Sequence, residues 1–182
     1  MRLQTALQTE RLSLRQVQQH DYPFYLSLNQ IPQVMHFIEQ GRSEQKIAEL
    51  FAKSLPPWHQ QAEQTLQWLI AERETGALVG FFGARLQNPP QGPAEIGYRL
   101  HPAMQGHGYA QEAGRAVLRF LFETCGVHKA EAVVTGGNQV SSRLLERLGF
   151  RLEGIQRQHY WMGGAWHDDW HYGLLADDPQ PG

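Results

Sequence analysis

A glycine-containing turn ahead of a predicted helix is the segment of this sequence best suited to chemistry. It reads Gln-Gly-His-Gly-Tyr-Ala over residues 105–110. The first N–H groups of a helix have no partner inside the helix, and the helix dipole makes that end positive. Glycine lets the backbone approach an anion closely, so the turn predicts a phosphate or pyrophosphate site. The alternative is a turn that serves only to reverse the chain.

The residues around the turn exclude two common nucleotide-binding motifs. A dinucleotide-binding turn needs a third glycine, where this sequence has Gln111. A P-loop needs Gly-Lys-Ser or Gly-Lys-Thr, and neither occurs in the sequence. The predicted anion therefore belongs to a different kind of ligand.

Hydrophobic periodicity predicts the elements that position the turn, in the order β–α–α–β–β–β–α–β–α–β–β. Strands are predicted over residues 3–15, 65–72, 77–86, 94–101, 129–135, 154–162 and 165–175. Helices are predicted from Asp21 through Leu28 and over residues 43–55, 108–125 and 140–148. Three prolines predict a loop over residues 88–93. The pattern indicates one mixed α+β domain over residues 1–182, with a strand–glycine turn–helix unit at its centre.

Composition narrows the class of protein. Sixteen basic and 18 acidic residues give a net charge of −2, which argues against a general basic surface for nucleic acid. Cys125 is the single cysteine, so an internal disulfide framework and a multi-cysteine zinc site are excluded. No stretch approaches about 18 consecutive apolar residues, and the N-terminal segment has no apolar run of the signal-peptide type. We expect a soluble cytoplasmic protein, monomeric or homodimeric, that binds neither nucleic acid nor membrane.

The residues around the turn resemble the acetyl-CoA-binding motif of the GNAT acetyltransferase superfamily. The matching residues are Glu95-Ile96-Gly97-Tyr98, Pro102, Gln105-x-x-Gly108-x-Ala110 and Glu112-Ala113. The superfamily's second motif is similar to Asn138-x-x-Ser141-x-x-Leu144-Leu145-Glu146-x-Leu148-Gly149-Phe150. Two further segments resemble the Rim-type branch of the superfamily, which comprises the ribosomal-protein N-terminal acetyltransferases. They are Thr9-Glu10-Arg11-Leu12-x-Leu14-Arg15 near the start and Gly163-Gly164-Ala165-Trp166-His167-Asp168 near the end. The resemblance covers nearly the whole chain.

The resemblance implies a GNAT fold, which is a mixed, mostly antiparallel central sheet flanked by helices on both faces. It implies acetyl transfer from acetyl-CoA to a primary amine by direct attack, without a covalent acyl-enzyme and without a metal. The pantetheine arm of the cofactor would run like an extra strand beside the strand that ends in Leu100 and His101. A backbone N–H on that strand would meet the charge developing on the thioester oxygen. The pyrophosphate would be held by the N–H groups of Gly106, Gly108 and Ala110, and further cofactor contacts are implied for Gln105, His107, Tyr109, Asn138 and Ser141.

Ser141 and Glu95 are the candidate catalytic residues. In the superfamily a serine at the position of Ser141 can lie near the thioester sulfur and help the leaving thiolate. Many members instead use a tyrosine where this sequence has Leu145. The Rim-type pattern can place a glutamate where this sequence has Tyr160, and a tyrosine with a pKa of about 10 is a poor base. Glu95 is therefore the first candidate for general base, acting directly or through water, and His159 is the second.

Most of these residues also have a purely structural interpretation. Asn138 can cap the following helix, alone or together with a contact to the pantetheine amides. Ser141 can be a solvated helix residue, and Glu95 and His159 can each be structural.

Three other features of the sequence were considered as functional sites but are not assigned as such. Two histidines, His167 and His171, have i, i+4 spacing, but on a strand four residues span about 13 Å, so one ion cannot bind both. We expect Cys125 to be a packing residue. The aromatic residues near the C-terminal end can line an acceptor pocket, form a subunit contact or pair across strands; they are Tyr160, Trp161, Trp166, Trp170 and Tyr172.

The acceptor amine stays open at this point. An unperturbed α-amino group has a pKa of about 7.7–8.0, against about 10.4 for lysine, so an α-amine loses its proton at pH 7 at a much lower cost. This difference favours an α-amine, and the resemblance to the Rim-type branch makes a protein N-terminal α-amine the first choice. The alternatives are a small-molecule amine, such as an amino acid, a polyamine or an antibiotic, and a non-catalytic acyl-CoA-binding module. Leu145 and Tyr160, which replace acid–base residues of the superfamily, are the reason for the last alternative.

Overall fold

The structure is a computed structural model and describes residues 3–89, 91–179 and 181. Its strands are β1 (Leu7–Gln8), β2 (Leu12–Gln16), β3 (Leu66–Glu72), β4 (Leu78–Leu86), β5 (Ala94–Leu100), β6 (Lys129–Thr135), β7 (Arg151–Met162) and β8 (Ala165–Leu175). Its α-helices are α1 (Tyr22–Asn29), α2 (Pro32–Met35), α3 (Glu44–Ala52), α4 (Tyr109–Arg119) and α5 (Gln139–Arg147). These elements follow the predicted alternation of strands and helices.

One sheet carries all eight of these strands, in the order β1-β2-β3-β4-β5-β6-β8-β7. Neighbouring strands are antiparallel, except that β5 and β6 run parallel. A parallel pair needs a crossover between its strands, and here the crossover contains α4. The predicted mixed, mostly antiparallel sheet is confirmed.

Helices cover both faces of the sheet, because alternate strand residues are apolar on each side. On one face, buried residues of α4 and α5, including Val117 and Leu145, pack with strand residues such as Trp68 and Phe82. On the other face, α1 and α3 pack against Leu69 and Phe81 of the central strands; their buried residues are Tyr25, Leu28, Ile47 and Phe51. We call the first side the α4/α5 face and the second the α1/α3 face.

The two parallel strands separate soon after they begin to pair. The Cα partners of β5 and β6 are only Ala94 with Ala130 and Glu95 with Glu131. Beyond Glu95, β5 continues to Leu100 and stays paired with β4, but among the described residues it has no further partner on its β6 side. The facing edges of β5 and β6 therefore expose backbone N–H and C=O groups to the space between them.

The single N-terminal strand predicted over residues 3–15 is wrong. Two short strands, β1 and β2, replace it, and they pair with each other. The Thr9 hydroxyl accepts a hydrogen bond from the Leu12 N–H, at 2.9 Å, and the Thr9 N–H donates to the Leu12 carbonyl. This local turn reverses the chain, an effect that strand periodicity cannot reveal.

Other boundaries also differ from the prediction. The helix predicted over residues 108–125 is α-helical only to Arg119, and a π-helical turn over Phe120–Thr124 follows it. Strand β7 begins at Arg151 rather than at residue 154, and the four-residue α2 was not predicted. Asp21 precedes α1, but its side chain does not cap that helix; it pairs with Arg15 and accepts a hydrogen bond from the Gln18 N–H. Pro90, in the predicted proline-rich loop, lies outside the described residues.

Residues 3–89, 91–179 and 181 contain no helix that is long and apolar enough to cross a membrane.

Candidate active site

A cleft of about 970 Å³ opens where β5 and β6 separate. Its walls include both strands, the turn before α4 and the first turn of α5 on the α4/α5 face. They also include Tyr25, Phe81 and Arg99 on the α1/α3 face. The cleft thus reaches both sides of the sheet, so two ligands can approach the gap from opposite faces.

The glycine turn has the backbone geometry of an anion site. Gly106 and Gly108 have φ angles of +79° and +81°, a conformation that residues with a side chain rarely adopt. The first bond into α4 runs from the Glu112 N–H to the Gly108 carbonyl. Within the described chain, the N–H groups of residues 106–111 have no hydrogen-bond partner. The turn therefore presents unpaired donors at the positive end of a helix.

A polar clamp holds this turn against the β1–β2 connection. Glu112, in the first turn of α4, accepts hydrogen bonds from the Thr9 hydroxyl at 2.5 Å, the Arg11 N–H at 2.9 Å and the Arg11 Nε at 2.7 Å. Arg11 also donates to the His107 carbonyl at 3.0 Å, and its guanidinium lies over the Tyr109 ring. Burial alone would raise the pKa of Glu112, but the bonds from Thr9 and Arg11 outweigh it and lower the pKa.

Most of the predicted cofactor residues line the cleft. They are Leu100, Gln105, Gly106, Gly108, Tyr109, Ala110, Asn138 and Ser141. The Gln105 side chain donates to the Leu100 carbonyl at 3.2 Å, so it joins the end of β5 to the glycine turn. The Tyr109 hydroxyl donates to the Glu72 carboxylate, which raises the pKa of Tyr109.

The two predicted histidines do not line the cleft. Nδ1 of His101 accepts a hydrogen bond from the Ala103 N–H at 3.2 Å and caps the short turn that follows. The His107 ring stacks on Tyr109, with 5.6 Å between ring centroids, and is exposed. Cofactor binding by His101 and His107 stays a prediction.

Helix α5 directs its N-terminus into the cleft. The Asn138 Oδ1 accepts a hydrogen bond from the Ser141 N–H at 3.2 Å, so the predicted cap is confirmed. Capping uses the oxygen of the amide and leaves its Nδ2 available as a donor. Capping and a ligand contact by Asn138 are therefore compatible.

A residue that sequence reasoning missed, Tyr98, reaches Ser141 from the opposite wall. The two hydroxyl oxygens are 2.8 Å apart. Burial raises the pKa of Tyr98, and the hydrogen bond to Ser141 only partly offsets that effect. Tyr98 therefore remains a neutral hydroxyl at physiological pH. The signal in the sequence is the tyrosine of the Glu-Ile-Gly-Tyr segment over residues 95–98, but its partner is 43 residues away.

The candidate base Glu95 lies in the cleft on the α1/α3 face, where alternation along β5 also places Gly97 and Arg99. Its carboxylate accepts hydrogen bonds from Arg85 at 2.8 Å and from Gln87 at 3.2 Å. The Glu95 side chain is 38% exposed, so water can reach it. The structure thus brings Glu95 to the same cleft as Ser141, on the other side of the sheet.

The second candidate base, His159, does not line the cleft. It is exposed on the β7–β8 hairpin, and its Nδ1 lies 2.7 Å from an Asp169 oxygen. The neighbouring Tyr160 donates from its hydroxyl to the Ile38 carbonyl at 3.1 Å. Tyr160 therefore joins the hairpin to the segment after α2, of which Phe37 and Ile38 line the cleft.

The two histidines, the cysteine and the aromatic cluster that were not assigned as sites make contacts within the fold. His167 and His171 lie on β8 and contact the Met162 carbonyl and the Gln156 side chain, respectively. Burial raises the pKa of the Cys125 thiol to about 11. Trp161 and Trp166 face each other across the hairpin, with ring centroids 5.3 Å apart, which confirms cross-strand pairing for these two residues. Within the described residues, no group of three or more potential ligand side chains could hold a metal ion.

Comparison with known proteins fits this geometry. Residues 11–151 match the family described as acetyltransferase (GNAT) domain. The N-acetyltransferase YoaA of Bacillus subtilis is 30% identical over 178 residues, which are 93% of this chain and 96% of that protein. The [ribosomal protein uS5]-alanine N-acetyltransferase of Escherichia coli is 33% identical over 87 residues, which are 48% of this chain and 45% of that protein.

Solved structures show the same fold. An acetyltransferase of the GNAT family from Bacillus anthracis superposes with a TM-score of 0.83 at 24% identity, covering 96% of this chain and all of that one. The spermidine N-acetyltransferase from Vibrio cholerae, solved in complex with CoA and spermine, has a TM-score of 0.81 at 23% identity and covers 93% of this chain and 98% of that one.

The chain belongs to the GNAT family of acetyltransferases. It is an acetyl-CoA-dependent N-acetyltransferase, which sets aside the alternative of a non-catalytic binding module.

Proposed function

We propose that the protein transfers the acetyl group of acetyl-CoA to an α-amine, with a protein N-terminus as the first-choice acceptor. The observation that carries the proposal is the cleft at the separation of β5 and β6, which opens to both faces of the sheet. The cofactor would enter from the α4/α5 face and the amine from the α1/α3 face. The two reactants would then meet between the strands, where proximity alone can lower the barrier by several kcal/mol.

The glycine turn supports the cofactor half of this proposal. The unpaired N–H groups of Gly106, Gly108 and Ala110 fit a pyrophosphate. The free edge of β5 fits the amides of a pantetheine arm, as a further strand would, and the Nδ2 of Asn138 adds a donor across the gap. Acetyl-CoA supplies the activated acetyl thioester when bound.

We propose that Ser141 stabilises the leaving thiolate and that Tyr98 supports Ser141. If the Tyr98 hydroxyl donates to the Ser141 oxygen, the single Ser141 proton is left to donate toward the cleft. The α5 N-terminus adds a positive dipole at the same place. Tyr98 thus replaces, from β5, the tyrosine that many members of the family carry where this chain has Leu145.

For Glu95 we propose the role of proton acceptor for the incoming amine, directly or through water. Its position on the amine side of the sheet and its access to water support this role. The hydrogen bonds from Arg85 and Gln87 hold the carboxylate in place. A cytoplasmic location remains a prediction from the sequence.

An α-amine is preferred over a lysine or polyamine because of its lower pKa, and two partial relatives support it. Besides the uS5-alanine enzyme, the Bacillus subtilis protein YdaF, named a putative ribosomal N-acetyltransferase, is 30% identical over 55% of this chain. A polyamine is the competing acceptor, because the Vibrio cholerae neighbour is a spermidine N-acetyltransferase.

Thiol release from acetyl-CoA tests the proposal. The decisive pair of substrates is a peptide with a free α-amine and no lysine, and the same peptide with a blocked N-terminus and one internal lysine. Spermidine and free amino acids complete the panel, and mass spectrometry locates the added acetyl group. We expect release with the first peptide and little with the blocked one. Faster release with spermidine or with the lysine peptide would refute the proposed acceptor.

A further inference from the structure

Arg99 is a cation on the amine side of the cleft whose described contacts include no carboxylate. Its Nη1 donates to the Asn29 Oδ1 at 2.6 Å, and its Nη2 donates to the Tyr25 hydroxyl at 3.2 Å. The guanidinium carbon lies 5.1 Å from the centre of the Tyr25 ring. Asn29 is buried, and its Nδ2 donates a hydrogen bond to the Tyr25 carbonyl. The Oδ1 of Asn29 is therefore oriented toward the guanidinium as an acceptor. Neutral groups therefore orient the guanidinium.

A second guanidinium converges on the same oxygen. Arg42 Nη1 donates to the Asn29 Oδ1 at 3.1 Å. Arg42 has its own carboxylate partner, Glu39, at 2.7 Å. Two cations thus share one neutral amide oxygen, and in their described contacts Glu39 is the one carboxylate that pairs with either of them.

The cleft as a whole is positive although the chain carries a net charge of −2. Its charged lining residues are Arg42, Arg85, Arg99, Arg147 and Glu95. Glu95 pairs with Arg85, so this carboxylate is already in use. Arg147 closes α5 and lies with the cofactor half of the cleft. On the amine side, Arg99 is then the lining cation that has no described carboxylate partner. A partly buried cation without a counter-ion favours an anionic ligand.

Arg99 is also close to the point where the amine would react. It follows Tyr98 directly, and Tyr98 and Arg99 point to opposite faces of the sheet because side chains alternate along a strand. The hydroxyl pair of Tyr98 and Ser141 marks the thioester side, and Arg99 marks the amine side. An acceptor whose amine enters the gap from the α1/α3 face would carry its neighbouring groups past Arg99, which lines the same cleft.

We infer that the acceptor carries a carboxylate near its amine and that Arg99, oriented by Asn29 and Tyr25, binds this carboxylate. The inference rests on the proposed function, and it narrows the acceptor to an acidic one. The carboxylate can be the side chain of an acidic residue at a peptide N-terminus or the α-carboxylate of a free amino acid. A polyamine, which is a polycation, is selected against at this site.

Matched acceptors that differ only in the carboxylate test the inference. One series consists of peptides with glutamate, glutamine or lysine as the second residue, and a second pair consists of an amino acid and its amide. For each acceptor we would measure kcat/KM by thiol release. We would also measure the Kd of each acceptor by calorimetry on the protein saturated with CoA, a readout that does not depend on turnover.

A charge-assisted, two-pronged contact is expected to favour the carboxylate over its amide by about 10- to 100-fold in wild type. In Arg99→Gln the preference should fall to about one, while Arg99→Lys, which keeps the charge, should retain part of it. Arg119→Gln, on the exposed side of α4, makes the same change in net charge and should leave the preference intact. Whichever series shows the preference identifies the source of the carboxylate.

The outcomes separate this inference from the proposed function. Rapid acetylation of α-amines with no carboxylate preference in kcat/KM or Kd would refute the inference and leave the proposed function standing. Absence of turnover with every acceptor would refute the proposed function, and the Kd values would still decide the inference. Loss of CoA affinity in Arg99→Gln would overturn the assignment, because Arg99 would then hold a cofactor phosphate.

Discussion

The hydroxyl groups of Tyr98 and Ser141 meet in the cleft although one comes from a strand and the other from a helix. The sequence could predict Ser141, because its position in a recognisable motif carries a role. It could not predict the pairing, because the distance between β5 and α5 depends on how both pack on the sheet. The same holds for Arg99 and Asn29, which are 70 residues apart in sequence.

We predict that Ser141→Ala lowers kcat by about 100-fold and changes CoA affinity little, because the lost proton donor acts on the leaving thiolate. Tyr98→Phe should also lower kcat. The double variant should be little worse than Ser141→Ala, because Tyr98 acts through Ser141. Steady-state kinetics and CoA calorimetry on the three variants check this. Additive losses would show that Tyr98 acts independently, and a normal rate in Ser141→Ala would end the proposed role of both.

A second prediction at this scale concerns Glu95. Glu95→Gln should lower kcat/KM at pH 7, and the loss should shrink as pH rises toward 9, because a larger fraction of the amine is then already neutral. The pH profiles of Glu95→Gln and His159→Ala, compared with wild type, are the measurement. Full activity in Glu95→Gln together with a loss in His159→Ala would move the base to His159. If neither substitution matters, alignment of the reactants is the main contribution of the protein.

Among the elements, the connection between β1 and β2 holds the glycine turn in place, which the sequence does not reveal. Hydrophobic periodicity predicts residues 3–15 as one strand, and its residues 9–15 otherwise carry only a family resemblance. In the structure they turn back, and Thr9 and Arg11 hold Glu112 and the His107 carbonyl beside the glycine turn. Side chains that stabilise a distant loop leave no periodic pattern, so hydrophobic periodicity cannot identify them.

We predict that this clamp supports cofactor affinity. Arg11→Gln should weaken CoA binding by about tenfold, roughly 1.4 kcal/mol, because the glycine turn loses its support and a nearby positive charge. Thr9→Val changes no charge and should weaken binding less, while Arg119→Gln should have no effect. CoA calorimetry on the three variants is the test. Equal affinity in Thr9→Val and wild type would show that Arg11 acts by its charge and not by positioning the turn.

For the whole molecule, most strands and helices follow from hydrophobic periodicity, and the cap predicted at Asn138 is present. What the sequence could not supply is the separation of β5 from β6. Both strands have ordinary patterns, and a strand's periodicity does not show where its pairing with a distant strand ends. The four-residue α2 was missed because one helical turn is too short to show a period. That the chain forms one domain remains a prediction.

The stability of the molecule should depend on the ion pair between Asp21 and Arg15. The Asp21 side chain is 4% exposed and receives two bonds of 2.8 Å from Arg15. Burial by itself would raise the pKa of Asp21, but the bonds from Arg15 and the Gln18 N–H outweigh it and lower the pKa. A carboxyl with a lowered pKa stabilises the fold fully above its unfolded pKa, near 4, and this stabilisation is lost as pH falls through the folded value.

Asp21→Asn should therefore reduce the free energy of unfolding by about 2 kcal/mol at pH 7, less than a fully buried pair, because Arg15 is partly exposed. Its stability should also fall less steeply than that of wild type between pH 5 and 3. Urea unfolding across this pH range gives the comparison, with the exposed Asp177→Asn as the control. Parallel pH profiles for wild type and Asp21→Asn would contradict the role given to this pair.

The site assignment depends first on the glycine turn, and calorimetric titration of CoA into wild type, Gly108→Val and Gly126→Val tests it most directly. Both glycines have positive φ, +81° and +68°, so both substitutions strain the backbone. Gly126 follows the π-helical turn and does not line the cleft. We expect similar losses of thermal stability in the two variants, but loss of CoA binding only in Gly108→Val. Unchanged CoA affinity in a folded Gly108→Val variant would contradict the account of this turn as the pyrophosphate site.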